Sequence, residues 1–237
     1  MESISSYKRI MLKLSGEALK GERCHGYDPA ALANVAGVIR KVRDMGIQTA
    51  VVVGAGNLWR GAMGIGMDQV NADYMGMLAT AMNAIAIKET LRQQGIPAEL
   101  FSAINMAPAV RLFDREAAVN ALSAGKVVIF AGGTGSPFFT TDTAAVLKAL
   151  ETGCDIVLKA TKVNGVYSAD PFKDPAAVRF DRISFDDALR KNLRVMDAAA
   201  FSLCRDHGLH IGVFNFSEEG ALERLLRNDT AAGTIVS

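Results

Sequence analysis

Short runs of apolar, mostly β-branched residues alternate along the whole chain with stretches in which apolar residues recur every three or four positions. The first pattern is typical of buried strands, and the second is typical of helices that bury one face. The alternation therefore predicts an α/β protein with a mostly parallel sheet that helices cover on both faces. Strands are predicted up to residue 13 and at residues 49–53, 127–130, 155–160, 211–216 and 233–236, the last as a closing edge strand; helices are predicted at residues 29–45, 73–93, 115–124, 143–152, 197–207 and 218–227. Asn164-Gly165 between apolar residues predicts a tight hairpin.

The helix predicted to open at Asp73 is apolar nearly all round. A helix of this kind must be buried. Two interpretations stay open: it is the central helix of a monomer, or the sheet covers one side of it and a second subunit covers the other. Its apolar side chains include Met75, Met77, Leu78, Met82, Ile85 and Ile87.

Three of the predicted strands run directly into polar loops that contain glycine. We call these loops the first (residues 13–17), the second (residues 54–61) and the third (residues 131–142) glycine loop. In an open α/β sheet such loops meet at the carboxyl edge of the strands, where ligands bind. Backbone N–H groups, with Lys13 and Arg60 beside them, form a suitable cradle for anions. Three such loops predict a site that holds two phosphorylated molecules against each other.

Size, composition and charge exclude several classes of function. The chain has 237 residues, of which 50% are hydrophobic and 22% are charged, and its net charge is +1. No basic stripe points to nucleic acid, and no apolar stretch reaches the roughly 18 residues of a membrane span. Residues 1–8 are polar, with no apolar segment of a secretion leader behind them. We therefore expect a cytoplasmic protein built as a single domain over residues 1–237, with two functional halves that meet near residue 150.

The cysteines and histidines do not have the spacing of a metal site. Their positions are Cys24, Cys154 and Cys204, and His25, His207 and His210. The cysteines are odd in number and lack a C-x-x-C motif, which indicates free thiols in a reducing cytosol. We expect no metal ligands among these residues.

Two common phosphate-binding motifs are absent from the sequence, and a third is incomplete. There is no Walker motif and no protein-kinase glycine loop. The second glycine loop begins with Gly54 and Gly56, as a dinucleotide-binding loop does, but Trp59 stands where the third glycine would be. A dehydrogenase is therefore disfavoured.

Several candidate site residues also have a purely structural interpretation. Lys13 and Arg60 are either solvated cations or ligands of phosphate groups. Asp73 is either the N-cap of its helix or an acceptor for a ribose hydroxyl. The hydroxyl groups of the third loop either cap the following helix or bind a ligand, and the neighbouring Phe138 and Phe139 favour a planar base.

In combination, the motifs resemble those of the bacterial uridylate kinases, members of the amino acid kinase family. The resemblance covers essentially the whole chain. It rests on KLSGEAL (residues 13–19), GNLWRG (56–61), DYMGML (73–78), TGSPFFTTD (134–142), LKATKVNGVY (158–167) and VMD (195–197).

This resemblance implies an αβα sandwich around a mainly parallel sheet. It also implies the ATP-dependent phosphorylation of UMP to UDP, a step of pyrimidine nucleotide synthesis, with Mg²⁺ carried by ATP. The expected assembly is a cytoplasmic homohexamer, with GTP and UTP as possible effectors. Residues up to about 150 would form the UMP-binding half, and the remainder would form the ATP-binding half.

Carried over position by position, the resemblance implies three sets of site residues. The catalytic set is Lys13, Asp142, Lys159 and Asp197; the ATP-binding set is Lys13, Leu14, Ser15, Gly16, Gly56, Arg60, Thr161, Tyr167 and Asp170; the UMP-binding set is Ala55, Asp73, Thr134, Gly135, Ser136, Pro137, Phe138, Phe139, Thr140 and Thr141. The carboxylates are expected to orient lysines or magnesium, because the acceptor is already a phosphate oxygen and needs no strong base.

One position departs from the family's pattern. The second loop commonly reads GGGN in the family but reads GAGN here, with Ala55 in the middle. A backbone contact to UMP at Ala55 survives the added methyl group only if φ is negative there.

Two rival functions stay open. One is another amino acid kinase, acting on a carboxylate or carbamate, and the other is a nucleotide sensor without transferase activity.

Overall fold

The computed structural model describes residues 7–60, 66–193 and 195–237, which leaves Gly61 of the second loop and residues 1–6 outside the description. Within these ranges, nine strands form one sheet with helices on both faces. The strands are β1 (Arg9–Leu14), β2 (Gln48–Val53), β3 (Ala98–Ser102), β4 (Arg111–Leu112), β5 (Val127–Ala131), β6 (Ile156–Thr161), β7 (Arg182–Ile183), β8 (His210–Asn215) and β9 (Gly233–Val236). The α-helices are α1 (Pro29–Asp44), α2 (Gln69–Gln93), α3 (Arg115–Ser123), α4 (Thr141–Thr152), α5 (Phe185–Arg190), α6 (Ala198–His207) and α7 (Ala221–Leu226).

The sheet has the strand order β4-β3-β5-β2-β1-β6-β8-β9-β7. Every neighbouring pair is parallel except β8 and β9, which are antiparallel. The central strand β1 alternates its side chains between two cores. Ile10 and Leu12 pack with α1, α2 and α7 on one face, whereas Met11 packs with α3, α4, α5 and α6 on the other. The predicted αβα sandwich is thereby confirmed.

Helix ends follow the capping residues that the sequence carries. Asp28 caps α1, with Pro29 in the first turn, and its carboxylate accepts a hydrogen bond from Ala31 N at 3.1 Å. Ser184 caps α5 in the same way, and α4 ends at Gly153 with a φ of 69°. The start of α1 and the end of α4 agree with the predicted helices to within a few residues, because the signals are local.

The start of α2 was predicted wrongly. The N-cap is Asp68, whose carboxylate accepts hydrogen bonds from Val70 N and Asn71 N at 3.0 and 3.3 Å. Asp73 lies inside the helix, in its second turn. Polar and apolar residues alternate in the first turn, which reads QVNA, so apolar residues at helical spacing did not mark it.

Two strand predictions were also wrong. Asn164-Gly165 does not close a hairpin, because β6 already pairs with β1 and β8 and has no free side. A Cβ on Gly165, whose φ is 150°, would collide with Thr234, so glycine there permits a close approach to β9. β9 is not the edge strand either, since the two-residue strand β7 pairs with its outer side.

One face of α2 is apolar and exposed. Met77 and Ile87 point inward and are buried, whereas Leu78 and Met82 are each 54% exposed. Met75 and Ile85 lie on the same outer face. Across the described ranges, every helix is too short or too polar to cross a bilayer.

Candidate active site

The three glycine loops lie side by side at the carboxyl edge of the sheet, as the sequence predicts. Their strands are adjacent in the order β5-β2-β1, and β6 follows on the far side of β1. Gly54 N donates a hydrogen bond to Leu14 O at 2.9 Å and so joins the second loop to the first. The side chain of Leu14 belongs to the core, so only its backbone faces the loops.

Gly16 lies where the first and second loops come closest. A Cβ at this position would stand 2.6 Å from Gly54 O, from Gly56 N and from Asn57 Oδ1. Two of these atoms are backbone, which cannot move aside cheaply. Only glycine therefore allows these two loops to pack together.

Lys13, Asp142 and Lys159 form a charge cluster at the centre of this edge. Lys13 Nζ lies 2.8 Å from Asp142 Oδ1, and Lys159 Nζ donates a hydrogen bond to Asp142 Oδ2 at 2.7 Å. The Lys13 contact is an ion pair without the angles of a regular hydrogen bond. The three side chains are 10–20% exposed, so water screens their interaction only partly.

The pKa of Asp142 reflects two opposing causes. Burial raises the pKa of this carboxyl, but the charges of Lys13 and Lys159 outweigh burial and hold the pKa below its usual value. Asp142 is therefore ionised at neutral pH. It orients two ammonium groups and is unsuited to act as a general base.

Asp197, the fourth residue of the predicted catalytic set, contacts the start of α4 and not the lysines. Its carboxylate caps α6 through Ala200 N at 2.9 Å. It also accepts hydrogen bonds from the hydroxyl groups of Thr143, at 2.9 Å, and Thr140. Thr140 is itself the N-cap of α4, two residues before Asp142. Asp197 thus connects the carboxyl-terminal half of the chain to the third glycine loop.

Asp73 reaches the third loop from the second turn of α2. Its carboxylate accepts hydrogen bonds from Phe138 N and from the side chain of Gln69, at 2.7 and 2.8 Å. Phe138 adopts a φ of 71°, which is unusual for a residue other than glycine, and its side chain is 73% exposed. Asp73 therefore stabilises a strained backbone conformation in the third glycine loop.

A cleft of about 190 Å³ lies between α2 and the second and third loops. Among the residues predicted to bind UMP, the cleft brings together Ala55, Asp73, Thr134, Phe139, Thr140 and Thr141. It is also lined by Trp59, Ala72, Gly76, Met77, Thr80 and Gly133, which the sequence analysis did not assign. Gly135, Ser136, Pro137 and Phe138 do not line it.

The backbone of Ala55 accommodates its methyl group. Among the described residues, only Phe138, Asn192 and Asn228 combine a side chain with a positive φ. Ala55 therefore has a negative φ, as a backbone contact to UMP at this position requires.

A second cleft, of about 530 Å³, lies at the ends of β6 and β8. It brings together Lys159 with the predicted ATP-binding residues Thr161, Tyr167 and Asp170. Its apolar walls come from residues to which the sequence assigned no binding role: Val163, Val166, Leu193, Val195 and Val213. Apolar walls of this kind suit a planar base.

Arg60 makes its ion pair with Glu17 of the first loop. The other carboxylate oxygen of Glu17 lies 2.9 Å from Lys162 Nζ, just beyond β6. The hydrogen bond from Lys162 outweighs partial burial and lowers the pKa of Glu17, and the charge of Arg60 acts in the same direction. Glu17 thus holds the side chains of Arg60 and Lys162 near the first loop.

Ser15, also predicted to bind ATP, caps the short helix Gly16–Leu19. Its hydroxyl accepts a hydrogen bond from Glu17 N.

The described part of the chain contains no group of three or more His, Cys, Asp or Glu side chains arranged to hold a metal ion. The carboxylate of Asp142 already forms ion pairs with two lysines. The carboxylate of Asp197 already accepts hydrogen bonds from two threonine hydroxyl groups and a backbone amide. The donor set therefore does not fit a resident metal.

The profile of the amino acid kinase family matches residues 8–215. The chain belongs to this family. Solved structures extend the similarity to nearly the whole chain. A UMP kinase from Bacillus anthracis is 35% identical with a TM-score of 0.94, covering 98% of this chain and 96% of its own. A UMP kinase from Ureaplasma parvum is 35% identical with a TM-score of 0.92, covering 97% and 98%.

A third solved structure, with lower sequence identity, has a similar fold. The uridylate kinase from Archaeoglobus fulgidus is 27% identical with a TM-score of 0.74, covering 96% of this chain and 99% of its own.

Proposed function

We propose that this protein is a UMP kinase, which transfers the γ-phosphoryl group of ATP to the phosphate of UMP. The observation that carries this function is the position of the Lys13–Asp142–Lys159 cluster. Lys159 lines the larger cleft, whereas Thr141, next to Asp142, lines the smaller one. A phosphoryl group that passes between the two clefts would pass this cluster. Similarity to two UMP kinases over nearly the whole chain supports the same reaction.

The residues suggest a reaction that depends on position and charge. An oxygen of the UMP phosphate forms a bond to the γ-phosphorus, while the bond from that phosphorus to the β–γ bridging oxygen breaks and ADP leaves. Lys13 and Lys159 offset the negative charge on the transferring group. Asp142 keeps the two ammonium groups in place. A magnesium ion would enter as part of the ATP substrate and would supply positive charge against its phosphates.

The smaller cleft is proposed to bind UMP and the larger one to bind the base of ATP. Asp73 would accept a ribose hydroxyl, and Phe139 would flank the uracil. Thr161, Tyr167 and Asp170 would hold ATP, with the first loop and Arg60 near its phosphates. The two halves, residues 1–150 and 151–237, would thus bind acceptor and donor within one domain.

The assembly is proposed to be a cytoplasmic homohexamer. The exposed apolar face of α2, with Leu78 and Met82 at its centre, supports a contact between subunits. GTP and UTP are the candidate effectors that the family resemblance implies.

The experiment that tests this function measures ADP release with ATP and magnesium. UMP, CMP, dUMP, AMP, aspartate and N-acetylglutamate are compared as acceptors. We expect turnover with UMP far above that with the others. Turnover with an amino acid would instead support a carboxylate kinase and overturn the acceptor assignments. A folded protein that binds ATP but turns over none of the six would be a nucleotide sensor.

A further inference from the structure

Two buried polar side chains on the inner face of α2 contact two of the three glycine loops. Thr80 and Asn83 are three residues apart and therefore lie on the same side of the helix. They are only 4% and 0% exposed. Polar groups buried this deeply are stable only when hydrogen bonded. Both are hydrogen bonded, and the partners include atoms of the loops.

Thr80 holds the beginning of the third glycine loop. Its hydroxyl donates to Met77 O at 2.7 Å and accepts from Gly132 N at 2.9 Å. Gly132 has a φ of 79°, so the chain turns sharply as it leaves β5. The hydroxyl of Thr80 fixes this turn.

Asn83 holds the second glycine loop. Its Nδ2 donates to Gly54 O and to Asn57 Oδ1, both at 2.7 Å. In return, Asn57 Nδ2 donates to Asn83 Oδ1 at 3.0 Å and to Gly26 O at the same distance. Both N–H groups of Asn83 are used, and both lead to the second loop.

We propose that Thr80 and Asn83 are positioning residues that set the separation of the second and third glycine loops. The spacing between residues three apart on a helix is fixed, so α2 acts as a rigid spacer between the loops. These loops line the cleft assigned to UMP, so the spacing also places the acceptor phosphate against the donor. The catalytic consequence rests on the proposed function.

A matched pair of variants isolates the bond to the loop. Thr152, near the end of α4, is 1% exposed, and its hydroxyl donates to Lys148 O at 2.5 Å just as that of Thr80 donates to Met77 O. It has no loop amide as a partner, and its other side-chain contact is the sulfur of Cys154. Thr80→Val and Thr152→Val therefore remove the same helix contact, but only Thr80→Val also removes the acceptor of Gly132 N. Thr80→Ser restores that acceptor.

The first measurement is amide hydrogen exchange, which requires no activity. We expect Gly132 to be protected in the wild type, and residues 131–136 to exchange faster in Thr80→Val but not in Thr152→Val. Rapid exchange of Gly132 in the wild-type protein would overturn the proposal without any variant. This result is independent of whether UMP is the substrate.

The second measurement is steady-state kinetics with UMP and ATP. A misplacement of about 1 Å can cost about 100-fold in rate, so kcat should fall about 10- to 100-fold in Thr80→Val. Thr152→Val and Thr80→Ser should stay within about threefold of the wild type. Equal losses in Thr80→Val and Thr152→Val, or in Thr80→Val and Thr80→Ser, would reduce Thr80 to a stability role. If the wild type itself fails to use UMP, the proposed function is wrong, and the exchange data alone decide the positioning role.

Discussion

Lys13 and Lys159 are register partners on the adjacent parallel strands β1 and β6, and their ammonium groups bind opposite oxygens of one carboxylate. Two like charges this close would repel each other in a site that water screens poorly. Asp142 offsets one of the two charges and leaves the cluster with a net charge of about +1. That remaining charge suits a phosphoryl group in transfer.

Replacing Lys13 should affect the chemical step more than binding. We expect Lys13→Ala to lower kcat by about 100- to 1,000-fold, because it removes a charge aimed at the transferring group. The dissociation constant of UMP should change by less than about threefold. Stopped-flow turnover and calorimetry measure the two quantities. Lys126→Ala is the control, since that lysine pairs with Glu99 at 2.8 Å on a surface away from the site. An unchanged kcat in Lys13→Ala would remove this lysine from the mechanism.

Replacing Asp142 should weaken the fold in a way that depends on pH. Asp142→Asn leaves two lysines side by side without their counter-ion, and losing one partner of a buried ion pair costs about 3 kcal/mol or more. The pKa of Asp142 is lower in the folded chain than in the unfolded one. Its stabilisation is therefore fully present above the unfolded value of about 4 and is lost as the pH falls through the folded value.

Urea unfolding at several pH values checks this prediction. The difference in unfolding free energy between wild type and Asp142→Asn should be large at pH 7 and should shrink below about pH 4. A difference that is constant from pH 7 to pH 3 would show that the cost comes from packing and not from charge.

The sequence alone was sufficient for six of the nine described strands, including β5, β2, β1 and β6, and for the loops that carry Lys13 and Asp142. Their signals are local: an apolar strand, a glycine turn and a lysine at the strand end. The errors occurred where local signals are weak or point to the wrong partner. Polar and apolar residues alternate in the first turn of α2, β7 has only two residues, and the Asn164-Gly165 turn follows a strand that is already paired on both sides.

The inner and outer faces of α2 could not be separated from the sequence. Apolar residues occur on both sides of this helix, so periodicity does not distinguish Met77, which is buried, from Leu78, which is exposed. The sequence also could not indicate the role of Thr80 and Asn83. Their role depends on hydrogen bonds to loops that are distant in the sequence, and helical periodicity carries no information about such contacts.

Replacing Asp73 should weaken acceptor binding selectively. Asp73→Asn weakens the hydrogen bond to Phe138 N, which holds the third loop at the smaller cleft. We expect the KM for UMP to rise about tenfold while the KM for ATP changes by less than about twofold. Asp68→Ala is the control within the same helix: loss of the N-cap should cost about 1 kcal/mol of stability without changing either KM. Equal increases in both KM values for Asp73→Asn would contradict its assignment to the acceptor.

The outer face of α2 should hold subunits together. A glutamate at Leu78 would place a charge in a buried apolar contact, which is strongly unfavourable. We expect Leu78→Glu to dissociate the assembly, as measured by analytical ultracentrifugation. Leu189→Glu is the control, because Leu189 is similarly exposed but lies on α5. If both variants keep the mass of the wild-type assembly, the contact lies elsewhere.

Adding one methyl group at Gly16 should separate the first two glycine loops. Its Cβ would lie 2.6 Å from Gly54 O and from Gly56 N, so the backbone of one loop must move. We expect Gly16→Ala to lower kcat by about 100-fold or more, since displaced loops no longer place the phosphates correctly. The control is Gly37→Ala in α1, where a Cβ meets nothing within 4 Å. That substitution should raise stability by about 0.5–1 kcal/mol and leave kcat unchanged. Normal turnover in Gly16→Ala would mean that the loops tolerate separation, and that their close packing is not required for transfer.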